Sequence, residues 1–390
     1  MMGARESAKM LDHETSEQEF AELVDRAGRE LDTQLLVELL PERTAVYRGR
    51  PANIVNRMRG YLLATFEVAG LPEVALPYVL EELESGRDAY LVAAAAKALR
   101  ARESRGADAV PFLLKAIDNI KYADDAVSFD SYRPSWPLSG HTTALNEIAV
   151  TVAWLGSDAT SALPTLRSLL EEPGVLPEEA RAQLESVVSG LSVGGSRRAV
   201  PALSPCCTHH PETARPVLHE VRPRTEVLAD VELEDQDGAR VKFGEFFNGK
   251  PSVVAFFYTR CDNPNKCSLT ITKLGRLQRR LGDLGLDGRI QTAAITYDPE
   301  FDLPARLRAY GENRGVVFTP SDRLFRTRGA LAPVQDYFEL GVSFGETLVN
   351  RHRIELFLLD QQGRVAGAFT RLQWDIEEVL AQVVRIAKPA

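Results

Sequence analysis

The sequence predicts two architectures in tandem, an all-α solenoid over 30–195 and an α/β domain over 226–390. Three observations carry this. From about residue 30, apolar side chains recur at three- and four-residue spacing with charged residues between them, the mark of amphipathic helices. From about residue 226 the rhythm changes to short apolar runs that alternate with amphipathic stretches, the pattern of strands and helices in turn. Between them, 196–225 is dense in proline and reads as a linker, while 1–29 is a polar N-terminal segment. At 390 residues, two domains are the natural expectation.

In the first half a short phrase repeats: Ala75-Leu76-Pro77, Ala109-Val110-Pro111 and Ala162-Leu163-Pro164, each opening an amphipathic run. Proline suits the first turn of a helix, where its missing N–H costs nothing. The first two prolines stand 34 residues apart and the next pair 53, the excess matching a loop-like insert near Tyr122–Gly140. Such a period with two helices per unit indicates a solenoid. The pattern resembles HEAT-type repeats, which implies a curved helical stack that presents a surface to a protein partner. Trp136 and His141 are candidate contact residues at the insert; a lone loop histidine is ordinarily just solvated.

The linker holds Cys206, Cys207, His209 and His210 within five residues. Short Cys/His-rich tracts bind metal, so these four form a candidate accessory site. Adjacent cysteines diverge, and no second pair follows at zinc-finger spacing. A linker that is merely thiol-rich is the competing reading, with a strained vicinal disulfide third.

In the second half, Asp230–Glu234 and Ala239–Phe243 flank the turn at Gln236–Gly238 and read as a hairpin. Val253–Tyr258 is near-continuously apolar, as a central strand should be. A helix is expected over Leu269–Leu284, a strand over Arg289–Tyr297 and a helix over Leu303–Asn313. Ile354–Leu359 and Arg364–Phe369 form a second hairpin around Asp360–Gly363, and Trp374–Ala387 closes as a helix. Cys261 and Cys267 follow the central strand, and His352 precedes the last hairpin on a distant loop. Two thiols and an imidazole can exchange disulfides or hold a soft metal ion. Cysteines that flank an Asn-Pro-Asn turn are not expected deep in a core.

Composition narrows the function. A net charge of −9 argues against a nucleic-acid surface. No stretch approaches the roughly 20 apolar residues that span a bilayer. The N-terminus shows no apolar h-region of a signal peptide. With four cysteines, all in the second half, a secreted disulfide framework is not indicated, and a cytoplasmic location is expected. The sequence is silent on oligomeric state.

Phe256-Phe-Tyr-Thr-Arg-Cys261, Ile295-Thr-Tyr-Asp298-Pro-Glu-Phe-Asp302 and His352-Arg-Ile-Glu-Leu-Phe-Leu-Leu-Asp-Gln-Gln-Gly363 occur in that order. In these motifs the second half resembles the Sco/SenC family of thioredoxin-fold copper proteins. The resemblance implies a thioredoxin-like fold and one copper site formed by Cys261, Cys267 and His352. Two departures stand out. The family usually has three residues between its cysteines; here there are five, so the loop must bulge at the helix start to bring the sulfurs together. The family is also typically membrane-tethered outside the cytoplasm, and the absence of a tether or export signal here implies a client other than the usual oxidase subunit.

Two thiolates and one imidazole suit Cu(I), and Cu(II) is compatible with the same set. Zinc fits less well because it wants a fourth ligand, for which Asp262, His209 or water would serve. A helix N-terminus with Arg260 and Lys266 nearby is expected to favour the Cys261 thiolate. Asp298 is a candidate hydrogen-bond partner for His352, or else an ordinary strand-end turn. The leading expectation is therefore a copper-binding protein engaged in copper delivery or metal-dependent thiol chemistry, with the helical repeats as a partner dock. The alternatives are a thiol–disulfide or peroxide oxidoreductase, with Cys261 as nucleophile and Cys267 as resolving thiol, and a repeat-based adaptor. A further possibility is that Cys206, Cys207, His209 and His210 fold over the main site to make a multinuclear centre.

Overall fold

The computed structural model describes residues 11–172, 176, 178–194, 226–345 and 348–387. The chain divides into two compact units, Met1–Thr213 and Ala214–Ala390. The linker over 196–225, with Cys206, Cys207, His209 and His210, lies outside the described residues.

The first unit is helical. Among the described residues its helices are Glu17–Glu30, Thr33–Leu39, Ala52–Ala69, Leu76–Ser85, Ala89–Leu99, Val110–Ile120, Ala144–Leu155, Leu163–Glu171 and Glu178–Gly194. Glu17–Glu30 packs on Ala52–Ala69, which packs on Ala89–Leu99, then Ala144–Leu155, then Glu178–Gly194; Leu76–Ser85 packs on Val110–Ile120. Each recurrent proline sits in the first turn of its helix, at Leu76–Ser85, Val110–Ile120 and Leu163–Glu171. Helix starts are thus set by a residue that needs no N–H partner there.

Helical structure begins earlier than the polar character of 1–29 suggests. Ser16 and Glu19 form a reciprocal capping box, and the helix they start buries Phe20, Val24 and Ala27. An apolar stripe that also includes Ala21 and Leu23 is buried although the rest of the helix is charged. The insert near Tyr122–Gly140 is irregular but anchored to this first helix. Tyr132 Oη donates to Glu17 Oε2 at 2.6 Å and Arg133 Nη2 donates to Oε1 at 2.8 Å. Trp136 is 84% exposed, and His141 is exposed as well.

The second unit is α/β. Its strands are β1 (Glu232–Asp235), β2 (Arg240–Lys242), β3 (Ser252–Phe257), β4 (Gln291–Thr296), β5 (Asp322–Thr327), β6 (Val342–Phe344), β7 (Val349–His352), β8 (Glu355–Leu359) and β9 (Val365–Thr370). Seven of them form a mixed sheet in the order β2-β1-β5-β4-β3-β8-β9, and β6 pairs with β7 apart from it. β3 lies between a parallel neighbour, β4, and an antiparallel one, β8. Every residue of β3 is buried, because both faces are covered. Val253, Ala255 and Phe257 face a cluster with Ile271, Leu274 and Leu277 of the helix Leu269–Asp283. Val254 and Phe256 face a second cluster with Phe243, Phe325, Phe338 and Phe357. The period of two places alternate residues on opposite faces.

The mixed sheet and the surrounding helices make this a thioredoxin-like α/β domain. β5, the helix Ala332–Phe338 and the β6–β7 ribbon are additions to the elements expected from the sequence. The ribbon corrects the placement of His352. The histidine is not on a loop but ends β7, where it stands opposite Val342.

Candidate metal centre

The first sulfur is placed by the end of β3. Chain direction changes after Phe257, and the Cys261 N–H reaches back to the carbonyl of Tyr258 at 3.4 Å. Thr259, two residues before Cys261, is fixed by the buried carboxylate of Asp302, which accepts its N–H at 3.1 Å and its hydroxyl. Burial raises the Asp302 carboxyl above its usual range, while these donors pull it down.

The second sulfur is placed by a wide turn. Pro264–Ser268 forms a π-helical turn, inside which Lys266 departs from helical angles at φ −111° and ψ −105°. A π turn accommodates one more residue per turn than an α-helix and is frequent at functional sites. This is the bulge that five intervening residues require. It carries Cys267 inward ahead of the helix Leu269–Asp283, and the side chain is only 1% exposed. The expectation of a thiol near the surface therefore fails for Cys267, which belongs to the core cluster beneath β3. Cys261 is partly exposed.

The imidazole closes the group. His352 Nε2 lies 3.4 Å from Cys261 Sγ and 3.5 Å from Cys267 Sγ. All three donor atoms lie within 4.8 Å of one another. His352 Nδ1 is 3.0 Å from the carbonyl of Arg353. A carbonyl only accepts, so Nδ1 carries a hydrogen and Nε2 is the nitrogen that faces the sulfurs, able to donate to a thiolate or to ligate a metal ion. Tyr258 and Tyr297 flank the imidazole, with ring centroids 5.3 Å and 5.6 Å from it.

The partner of Nδ1 is thus a main-chain carbonyl and not Asp298. Asp298 instead accepts from Arg260 Nε at 2.9 Å, and this ion pair stands beside the Cys261 turn. Behind the imidazole, the fully buried Glu355 accepts from Arg353 Nε and from the Gly341 N–H, each at 2.9 Å, and from the Tyr297 hydroxyl. Tyr297 and Glu355 were hidden in the sequence inside apolar strand motifs. Their signal was a carboxylate in β8, which demands partners when buried.

The two thiols are driven apart in acidity. The Cys267 S–H lowers the Cys261 pKa by hydrogen bonding to its anion, opposed by burial, and His352 lowers it further. Burial raises Cys267 well above the ordinary thiol value, reinforced by the neighbouring anion. The arrangement holds one thiolate and one thiol in contact. The anion is held chiefly by the second sulfur, then by the imidazole, and the Cys267 N–H in the turn that opens the helix lowers it too, the part of the cause expected from the sequence.

Two thiols and an imidazole whose Nε2 faces them form a donor set that fits copper, since soft thiolates and imidazole both suit it. Among the described residues, these three are the group of His, Cys, Asp and Glu side chains close enough to share an ion. No described helix is long and apolar enough to cross a membrane.

The fold and donor set define a thioredoxin-like domain with a Cys–Cys–His centre. Residues 219–388 match the family model described as SCO1/SenC, so the C-terminal region is similar to that family. Solved structures similar to the chain include a SCO1/SenC family lipoprotein from Bacillus anthracis, at 22% identity over 44% of this chain and 98% of that one, with a TM-score of 0.36. Bradyrhizobium japonicum ScoI with copper bound aligns at 25% identity over 40% of this chain and 96% of that one, TM-score 0.33. Yeast Sco1 with copper bound aligns at 26% identity over 40% and 88%, TM-score 0.30. No curated protein matches the chain.

Proposed function

We propose that the chain is a copper-binding protein whose site is Cys261, Cys267 and His352, and that its task is copper delivery or metal-dependent thiol chemistry. The observation that carries this reading is the convergence of three donor atoms within 4.8 Å, drawn from three separate elements of a region similar to the Sco/SenC family. Copper, when bound, supplies a soft one-electron centre. The protein supplies the rest. Cys261 offers an anion, and Cys267 gives up its proton as the ion enters. His352 is oriented by the Arg353 carbonyl so that Nε2 faces the sulfurs, and two tyrosine rings flank it.

The helical unit is part of the same proposal, as a HEAT-type dock for a protein partner. The recurrence of proline-led helices and the exposure of Trp136 and Tyr122 support it. A cytoplasmic location is proposed with it on cysteine usage alone, and cell fractionation checks it. Cys206, Cys207, His209 and His210 remain proposed accessory ligands. A copper content per chain that falls in Cys206→Ser/Cys207→Ser supports that role, and an unchanged content removes it.

The test is metal content and free-thiol count on one anaerobic preparation, for the wild type and His352→Ala. Copper held by the wild type and lost by the variant supports the reading. A metal-free protein whose Cys261–Cys267 disulfide cycles equally well in both forms overturns it.

That outcome would favour a second reading, a thiol–disulfide or peroxide-reducing enzyme with Cys261 as nucleophile and Cys267 as resolving thiol. The lowered Cys261 pKa beside a second sulfur is the observation behind it.

A further inference from the structure

The helix Leu269–Asp283, which follows the cysteine turn, carries Lys273, Arg276, Arg279 and Arg280 against one acid, Asp283, in a chain that holds 55 acids and 46 bases. Like charges three or four positions apart on a helix repel and cost stability. Two of these cations are engaged within the fold: Lys273 Nζ donates to the Trp374 carbonyl at 2.6 Å, and Arg280 Nε pairs with Glu377 at 2.7 Å. Arg276 and Arg279 are exposed. Arg314 joins them from a neighbouring loop, where its Nε donates to Ser268 Oγ at 3.1 Å, one residue after Cys267. Among the described residues, Arg276, Arg279 and Arg314 make no ion pair with a carboxylate. Neighbouring acids are already engaged, Glu312 by Arg308 and Asp283 by Arg280.

The loop is locked onto the helix, so two of the three guanidinium groups keep fixed positions. Gly275 lets the backbones come close, since a Cβ there would lie 2.5 Å from the Gly315 carbonyl oxygen. Gln278 Oε1 accepts the Val317 N–H at 2.9 Å, and Arg279 Nη1 donates to the Gly315 carbonyl at 3.3 Å. Arg314 Nη1 donates to the Tyr310 carbonyl at 3.1 Å, and its guanidinium lies 3.4 Å from the centre of the Tyr310 ring. Val317, on the same loop, is 61% exposed. Side chains that are already ordered lose little freedom on binding, and arginine around an apolar residue is the composition of a protein interface. From Ser268 to Arg279 the helix rises about 16 Å. That is too long a row for one small anion and suits an extended acidic segment.

Resting on the reading that the centre passes copper or a disulfide to a protein partner, we propose that Arg276, Arg279, Arg314 and Val317 form the docking surface for that partner, which lays an acidic segment along them. Fixed positive charge attracts and orients an acidic partner before contact. The row begins at Ser268, so a segment lying along it leads to the turn that holds both cysteines. A nucleic acid is the poorer occupant, because these cations stand in a chain of net charge −9.

The experiment follows thiol–disulfide exchange of the reduced, metal-free full chain with two peptides of equal length. Each carries a pyridyl disulfide, flanked by glutamates in one and by glutamines in the other. The Cys261 thiolate attacks the peptide sulfur, a mixed disulfide forms, and the pyridine thiol leaves with the electron pair and takes up a proton. Its absorbance gives the rate. The glutamate peptide is expected to react about tenfold faster at low salt, with the rate ratio falling toward one in about 0.5 M salt. Arg276→Gln/Arg279→Gln is expected to remove most of that ratio, and Arg276→Lys/Arg279→Lys to keep it. Arg43→Gln/Arg48→Gln, which takes the same charge from exposed positions in the first unit, is expected to leave it unchanged. Equal rates for the two peptides in the wild type, a ratio unmoved by Arg276→Gln/Arg279→Gln, or a ratio lost equally in both glutamine variants overturns the proposal. A wild-type chain that reacts with neither peptide overturns the exchange reading itself, an outcome distinct from a ratio of one.

Discussion

His352 Nε2 stands 3.5 Å from the sulfur of Cys267 although the two residues are 85 positions apart in the chain. The contact joins a π turn at one end of β3 to the edge of a two-stranded ribbon. Neither element forms the site without the other, and the sheet that fixes both is the reason they meet.

The two thiols should differ sharply in reactivity. In the metal-free native protein, iodoacetamide is expected to label Cys261 and to leave Cys267 unlabelled until the chain unfolds. Cys261 is partly exposed and anionic, while Cys267 is buried and held as a thiol. Peptide mapping of the alkylated protein reads both outcomes. Faster labelling of Cys267 would contradict the assigned burial and acidity.

The same contact sets a pH dependence. A lowered thiol pKa keeps the reactive anion in place as pH falls, so Cys261 alkylation should change little between about pH 8 and 6. In His352→Ala one of the influences that lower it is gone. The rate profile should then move to higher pH, with slower labelling near neutrality. An unmoved profile would mean that the imidazole does not support the anion.

Glu355 should matter to stability as well as to the site. Its carboxylate is fully buried and satisfies Arg353, Tyr297 and the Gly341 N–H. Glu355→Leu leaves those donors without an acceptor and is expected to destabilise the C-terminal unit by about 2–3 kcal/mol. The urea midpoint followed by near-ultraviolet circular dichroism checks it. A loss below about 0.5 kcal/mol would place the change among ordinary surface substitutions.

In the helical unit, Ser16 provides a local test. Ser16→Ala removes one half of the capping box and should cost about 1 kcal/mol. Glu17→Ala should cost more than its exposure suggests, because Tyr132 and Arg133 of the insert lose their acceptor. Increased proteolysis within the insert would report that loss. Unchanged cleavage would show that the insert is held by other contacts.

Much of this was legible in the chain because local chemistry and tertiary placement agree. The recurrent prolines mark helix starts wherever they occur, since an N–H is not needed there. The run at β3 read as central because only a strand covered on both faces tolerates an unbroken apolar sequence. The bulge between the cysteines followed from loop length. What stayed hidden depends on pairing across long separations. The β6–β7 ribbon is short and partly polar, so periodicity missed it and His352 read as a loop residue. Asp298 looked available to the histidine until Arg260 proved to hold it. The helix Glu17–Glu30 was masked by its charged face, although its cap was written at Ser16 and Glu19.

Copper K-edge X-ray absorption of the anaerobically loaded full chain tests the central claim most directly. The account predicts copper with sulfur and nitrogen neighbours in the wild type, with the nitrogen contribution lost in His352→Ala and the sulfur contribution reduced in Cys267→Ser. Copper that is not retained, or a spectrum that neither substitution changes, would contradict a centre built from Cys261, Cys267 and His352.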